Sequence, residues 1–303
     1  MNDLALVVLN YNNFDDTIKC VDQLNSFDDS FRIIVVDNYS TNESVQVLRK
    51  SFAEYANVDI ILSEKNGGYS YGNNLGIKYA INKYKSKYIG ILNPDVIIPS
   101  VVVFDELLET LEKNPNIAMV GGSVIENELF SPYKSGWNIP TSKEVVLDRL
   151  LVLSNRRDPT YLMMNEKYAK VDCIVGCFFI IKTDIFEKIG LFDESVFLYN
   201  EENILGIKLK KLGYESVIVA NQFYYHNHDF SNDKNKSLSS KIAALKVRFK
   251  SRKYLITTYY SKMLVPFLFL VELINCTQIT LGHFKNKITR LIRTFGGNSG
   301  NFY

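Results

Sequence analysis

Four acidic side chains stand at points where the chain changes direction, and each suits a particular piece of chemistry. Asp37 follows an apolar run at 31–36, Asp95 lies in Asn93-Pro94-Asp95 just after the run 88–92, and Glu201-Glu202 open a helical pattern at 200–212. Pro94 fixes its own φ and keeps Asn93 extended, so the Asp95 carboxylate is aimed rather than mobile. A carboxylate so placed can hold a divalent cation such as Mg²⁺, with further oxygens supplied by the phosphates of a substrate. The alternative for Asp95 is an Asx turn. Adjacent carboxylates beside the apolar run Phe197-Leu198-Tyr199 raise one another's pKa, which suits a general base. Their alternative is a solvated helix start, where acids favour the dipole.

Residues 65–76 form the segment richest in glycine, KNGGYSYGNNLG. Beside Asn66, the glycines Gly67, Gly68 and Gly72 allow close backbone approach, and a helix expected from about Tyr71 offers free N–H groups to phosphate or ribose. The spacing is neither a dinucleotide fingerprint nor a Walker loop, which argues against an NAD-dependent enzyme. An ordinary strand-to-helix turn is the competing explanation. His226 and His228, two of three histidines, follow a strand at i, i+2, and one of them could ligate a metal while the other is structural.

Short apolar runs at 4–9, 31–36, 58–62 and 88–92 alternate with helical periods at 15–24, 44–55 and 71–84. That order predicts an α/β fold with a mostly parallel central sheet flanked by helices. Ligands of such sheets bind at the carboxyl ends of the strands, which marks Asn10-Tyr11-Asn12, Asp37-Asn38 and Asn93-Pro94-Asp95. Residues 127–141 read as loop, 171–182 as strand interrupted at Gly176, 200–212 as helix ending at Gly213, and 217–220 as strand. The expected division is a catalytic domain at 1–231 and a helical, basic and apolar C-terminal region at 232–303.

Composition sets outer bounds. Of the 303 residues, 47% are hydrophobic and 22% charged, and the net charge of +2 makes no case for nucleic acid. Four scattered cysteines fit buried thiols better than zinc or disulfides, and with an N-terminus lacking a signal-peptide pattern they suggest the cytoplasm. Residues 263–282 are strongly apolar but carry Glu272, with basic stretches at 241–253 and 285–293. This pattern suits an interfacial helix pair on anionic lipid, and a homodimer contact or a packed helical appendage is the alternative.

Taken in order, Val8-Leu9-Asn10-Tyr11-Asn12, Val35-Val36-Asp37-Asn38-Tyr39-Ser40, residues 66–76, Leu92-Asn93-Pro94-Asp95, Gly176-Cys177, residues 190–194, Glu201-Glu202 and His226 resemble the family 2 glycosyltransferases of the GT-A fold, especially bacterial rhamnosyltransferase-like members. No single segment is specific; their order over roughly residues 4–231 is. The resemblance implies that Asn10, Tyr11 and Asp37 hold base and ribose and that Asn74 supports the donor region. It implies that Asp95 and His226 hold Mg²⁺ or Mn²⁺ with the diphosphate, and that Glu202 is the catalytic base of an inverting transfer. The donor would be dTDP-rhamnose or a UDP-hexose. The acceptor would be a glycan hydroxyl, on a lipid-linked glycan if the chain docks on the inner face of the cell membrane during capsule or related polysaccharide synthesis. Three positions depart from the pattern: Asn93 replaces the first acid of a DxD motif, Glu202 stands where aspartate is usual, and Ile204 where an acid is frequent. A catalytically silent nucleotide-sugar- or glycan-binding module of the same fold is the rival reading.

Overall fold

The computed structural model describes residues 3–27, 31–126, 129–130, 132–148, 162–163, 167–226 and 237–296. The chain divides into two compact units, one of residues 1–140 and 157–228, the other of 141–156 and 229–303.

In the first unit, β1 (Leu4–Asn10), β2 (Arg32–Asp37), β3 (Val58–Leu62) and β4 (Tyr88–Leu92) pair in parallel. They alternate with α1 (Phe14–Asn25), α2 (Ser44–Ser51) and α3 (Gly68–Tyr84). Successive side chains of β1 enter opposite cores: Leu4, Leu6 and Val8 join Val21, Leu24 and Phe104, while Ala5 and Val7 join Ile77 and Ala80. Burial on both faces is why these strands read as continuous apolar runs instead of alternating ones.

Beyond β4 the chain forms β5 (Val96–Ile97), α4 (Val102–Lys113), β6 (Ile117–Glu126), β7 (Leu129–Phe130), α5 (Pro132–Ser135) and β8 (Gly136–Trp137). After α6 (Ser142–Leu147), which belongs to the second unit, come β9 (Leu162–Met163), β10 (Tyr168–Val171), β11 (Cys173–Ile174), β12 (Phe178–Lys182), α7 (Thr183–Lys188), α8 (Glu201–Lys211) and β13 (Glu215–His226). Among the described residues the main sheet runs β3-β2-β1-β4-β12-β6-β13-β10-β9, with β5 on β13 and β7 on β6, and β8 pairs separately with β11. The parallel strands continue through β12, which enters antiparallel between β4 and β6.

Several boundaries differ from the sequence expectation. The helix expected to reach residue 55 stops at Ser51, where Phe52 is buried and stacks on Tyr55, whose hydroxyl donates to Asp22. The strand expected at 217–220 is β13, twelve residues long and ending at His226. A register shift against β6 between Val219 and Phe223 places the polar Asn221-Gln222 in an irregularity, which hid the continuation of the strand. The stretch read as loop at 127–141 contains β7, α5 and β8 among its described residues. Helix α3 begins at Gly68, three residues ahead of Tyr71.

The second unit contains α6, the helix Leu238–Tyr259 and the long helix Val265–Gly296. Arg252 is buried, donates to the carbonyls of Val145 and Val146, and pairs with Glu272 at 3.3 Å. The charge that interrupted the apolar run thus turns inward to a partner. Leu268, Val271 and Asn275 share that buried side, whereas Met263, Phe267, Leu270, Leu273, Leu281 and Phe284 are exposed. Apart from Leu268 and Val271, this helix leaves most of its large apolar residues exposed, unlike a water-soluble amphipathic helix.

One glycine decides how α3 starts. Gly68 has φ +86°, and a Cβ there would lie 2.0 Å from the Phe197 carbonyl oxygen, which already accepts from the Tyr69 N–H at 2.9 Å. Gly68→Ala is expected to destabilise the fold by about 2–4 kcal/mol through strain and crowding. A urea melt of the variant beside the parent checks this.

Candidate functional site

At the ends of β1 and β2 the sequence supplies polar residues where two parallel strands stop side by side. Asn10 is fully buried and donates to Asp37 Oδ2 at 2.7 Å and to Ser40 Oγ at 3.2 Å. Its oxygen accepts from Thr17 at 3.0 Å, so the side chain ties both strand ends to α1. Asp37 takes the Ser40 N–H on its other oxygen at 2.8 Å. Asn38 donates to Asn66 Oδ1 at 3.2 Å and to the Gly68 carbonyl at 3.1 Å. Those two donors fix its amide, and its buried Oδ1 has no hydrogen-bond partner among the described residues. Tyr11 is about half exposed, and Asn12 and Tyr39 adopt positive φ, as the tight turns after both strands require. Asn10, Tyr11, Asp37, Asn38, Asn66 and Gly67 therefore lie along one rim, with Gly67 against the Tyr71 ring.

Asn74 faces elsewhere. It donates to the Phe192 carbonyl at 3.0 Å and to Glu194 at 2.8 Å, and accepts from the Phe192 N–H at 3.1 Å. It clamps α3 to the segment leading into α8, so its effect on a ligand would run through that segment.

Asp95 gains its neighbours from strand pairing. Val96 lies opposite His226 in the β5–β13 ladder, and His226 Nε2 stands 3.4 Å from Asp95 Oδ2. The other ring nitrogen, Nδ1, is 3.4 Å from Glu126 Oε1 at the end of β6. Burial lowers the His226 pKa, yet hydrogen bonds and charge from Asp95 and Glu126 outweigh it and hold the ring above its ordinary value. Asp95 also forms part of the wall of a cleft of about 340 Å³ between α1 and β5, with Asp16, Lys19, Gln23 and Ile97. His228 lies outside the described residues.

Asp95 Oδ2 and His226 Nε2 are close enough to share one cation; the carboxylate suits Mg²⁺ or Mn²⁺, and the imidazole nitrogen favours Mn²⁺ over the harder Mg²⁺. Among the described residues no group of three or more His, Cys, Asp or Glu is arranged to hold an ion unaided. The donor set fits a two-ligand site completed by substrate oxygens, as Asn93 in place of a second acid also requires. Asn93 itself is tied by its N–H to the Cys177 carbonyl at 2.8 Å.

Gly176-Cys177 joins the two halves of the site. Beside the Asn93 contact, the Gly176 N–H donates to Glu202 Oε1 at 3.3 Å, and the Tyr69 hydroxyl donates to the Gly176 carbonyl at 2.5 Å. A Cβ on Gly176 would sit 3.0 Å from Glu202, so glycine leaves room for the carboxylate. Tyr199 and Asn200, the two residues before α8, both adopt positive φ, which turns the helix start into the site at some cost in strain. Burial raises the pKa of both glutamates. For Glu201 the Glu202 charge adds to burial, so the adjacent pair holds a proton more tightly than two separate carboxylates would. Ile204 is 1% exposed and packs in the core, so the acid frequent there in relatives has no counterpart facing the site.

The residues that sequence reading missed are those defined by tertiary contact. Glu126 ends a strand whose continuation was read as loop. Trp137 donates to Asn203 at 2.9 Å, and Asn203 donates to Asn200 at 3.0 Å, bracing the turn ahead of Glu202. Tyr69 was visible only as one residue of the glycine-rich segment.

Comparison with known proteins identifies the family and the fold. Residues 5–190 match the family model described as Glycosyl transferase family 2. The chain is 26% identical over 202 residues to the low-salt glycan biosynthesis hexosyltransferase Agl10 of Haloferax volcanii, covering 67% of this chain and 60% of that protein. It is 25% identical over 244 residues to the rhamnosyltransferase WbbL of Escherichia coli, covering 78% of this chain and 86% of that protein. Its fold is similar to that of GalNAc-T7 solved with UDP, GalNAc and Mn²⁺, with TM-score 0.56, 15% identity, and 74% of this chain and 43% of that one covered. It is also similar to the mannosyltransferase PcManGT of Pyrobaculum calidifontis solved with GDP-Man and Mn²⁺, with TM-score 0.57, 12% identity, and coverage of 97% and 79%. Both are GT-A glycosyltransferases, and the fold of this chain is of that type.

The raised pKa of Glu201 has a measurable consequence. Its folded pKa is raised from 4.5 to about 8, so its stabilising contribution is complete below about 4.5 and is lost as pH rises through about 8. Glu201→Gln should flatten the pH dependence of Tm across that window. Parallel Tm profiles for variant and parent would show that Glu201 holds no such proton.

Proposed function

Because this chain belongs to glycosyl transferase family 2 and is rhamnosyltransferase-like, we propose that it moves a sugar from a nucleotide-diphosphate donor to a glycan hydroxyl in bacterial surface polysaccharide synthesis. The observation that carries the reading is the convergence on Gly176-Cys177 of Glu202 from one side and the Asn93–Asp95 turn from the other. Catalysis is assigned to residues 1–231 and surface docking to 232–303.

On this reading the rim of Asn10, Tyr11, Asp37, Asn38, Asn66 and Gly67 takes the nucleotide. Asp95 and His226 would hold a divalent cation, which when bound supplies positive charge against the departing diphosphate. Glu202 Oε accepts the proton of the acceptor hydroxyl as that oxygen bonds to the anomeric carbon. The bond from that carbon to the diphosphate breaks, the nucleoside diphosphate leaves, and configuration inverts. Gly176 orients the Glu202 carboxylate through its N–H. The names of the curated relatives speak for a hexosyl or rhamnosyl donor, and dTDP-rhamnose or a UDP-hexose is the donor proposed.

The exposed apolar side of the helix Val265–Gly296 supports docking on anionic lipid at the inner face of the cell membrane, where a lipid-linked acceptor would be met. Lys262–Phe284 is also long and apolar enough to cross a membrane. The inward Arg252–Glu272 pair and the basic stretch at 241–253 favour a helix lying at the headgroup level. Its apolar surface is broader than the narrow seam of a coiled-coil homodimer.

Two experiments test these assignments. With Mg²⁺ or Mn²⁺ and a panel of nucleotide-sugars and acceptors, the protein is expected to turn over. Glu202→Gln should keep donor binding while transfer falls by about 10²–10⁴. Donor binding without turnover on any acceptor would point to the silent binding module. For docking, full-length protein should sediment with vesicles containing anionic lipid, and glutamate at Phe267, Leu270 and Leu273 should abolish this. Unchanged sedimentation of that variant, or a concentration-dependent dimer without vesicle binding, would count against lipid.

A further inference from the structure

Glu126 has no part in the transfer as described, yet it occupies a constrained position. It is the last residue of β6, and β6 lies parallel to β13, with Ile125 opposite Tyr225. On the other side of β13, β5 brings Val96 opposite His226. His226 therefore sits on a central strand, with a carboxylate delivered by each neighbour: Asp95 at Nε2 and Glu126 at Nδ1, both at 3.4 Å. Glu126 is only 11% exposed, and its second oxygen is paired with Lys134 from α5. Its carboxylate is held between a lysine and an imidazole, so its rotation is restricted from both ends.

We infer that Glu126 is a positioning residue that holds the His226 ring with Nε2 toward Asp95 and the cation. This rests on the reading of Asp95 and His226 as cation ligands. An imidazole can rotate about its side-chain bonds and can carry its proton on either nitrogen. An acceptor fixed at Nδ1 selects both the ring orientation and the nitrogen that keeps the hydrogen, leaving the Nε2 lone pair for the cation. Glu126 itself faces the ring nitrogen remote from Asp95, which makes it a partner of the ligand and not a ligand.

The test is Mn²⁺ binding by full-length protein, followed by electron paramagnetic resonance in the presence of saturating UDP or dTDP. Glu126→Ala should weaken Mn²⁺ binding by about 10–100-fold. Glu126→Gln, which keeps an acceptor oxygen for Nδ1–H, should remain within about threefold of the parent. Should Glu126→Ala fail to fold, Lys134→Ala on the half-exposed side is read in the same titration and is expected to weaken binding in the same direction. Parental affinity in Glu126→Ala, or in Lys134→Ala where that variant stands in for it, overturns the inference alone. So does a loss in Glu126→Gln equal to that of Glu126→Ala, since charge and not orientation would then matter. No Mn²⁺ binding by the parent with either nucleotide overturns the inference together with the cation reading beneath it.

Discussion

Negative charge gathered around a buried thiol is the constraint on which the rest of the site depends. The pKa of Cys177 is pushed up to about 12, first by burial; a contact with the Tyr224 hydroxyl relieves this in part, and the charges of Asp95, Glu126 and Glu202 add to it. Three acids from three different elements thus act on one side chain at the centre of the sheet. This concentration is offset by His226, whose pKa is raised, and by Lys134 on Glu126. Such an arrangement favours the arrival of a cation and of a substrate that carries one.

The scaffold holds these acids apart through backbone. Parallel strands end together, so Asn10 and Asp37 meet across the β1–β2 boundary. Strand β12 passes antiparallel beside β4, and the turn before it gives a carbonyl to Asn93 and an N–H to Glu202. Glycine is required where the chain approaches closely: Gly68 beneath the Phe197 carbonyl and Gly176 beneath Glu202. Backbone contacts of this kind set distances more firmly than long side chains do, since they bring no rotamer freedom of their own.

Local pattern made the parallel half of the fold legible. The strands 58–62 and 88–92 coincide with β3 and β4, and each polar cluster singled out at a strand end does follow a strand. What stayed hidden depends on contacts between residues far apart in sequence. His226 was suspected as a ligand, but its pairing with Asp95 needs a two-residue strand, β5, and the irregular extension of β13 through Asn221-Gln222. Glu126 lay at the edge of a stretch without periodicity. Asn74 looked like a donor-side polar residue, whereas its amide is spent on Phe192 and Glu194. In the C-terminal helix, Glu272 appeared to spoil an apolar run, and only its pairing with Arg252 shows that the run has a polar inner side.

The central proposal is that Asp95 and His226 face one cation while Glu202, held by the Gly176 N–H, stays outside its coordination sphere. Anomalous diffraction from crystals grown with Mn²⁺ and a nucleoside diphosphate tests this most directly. The predicted result is one Mn²⁺ peak bonded to Asp95 Oδ2, His226 Nε2 and diphosphate oxygens, with Glu202 outside the coordination sphere. A nucleotide bound with Mn²⁺ ligated elsewhere, or with Glu202 as a metal ligand, would contradict it.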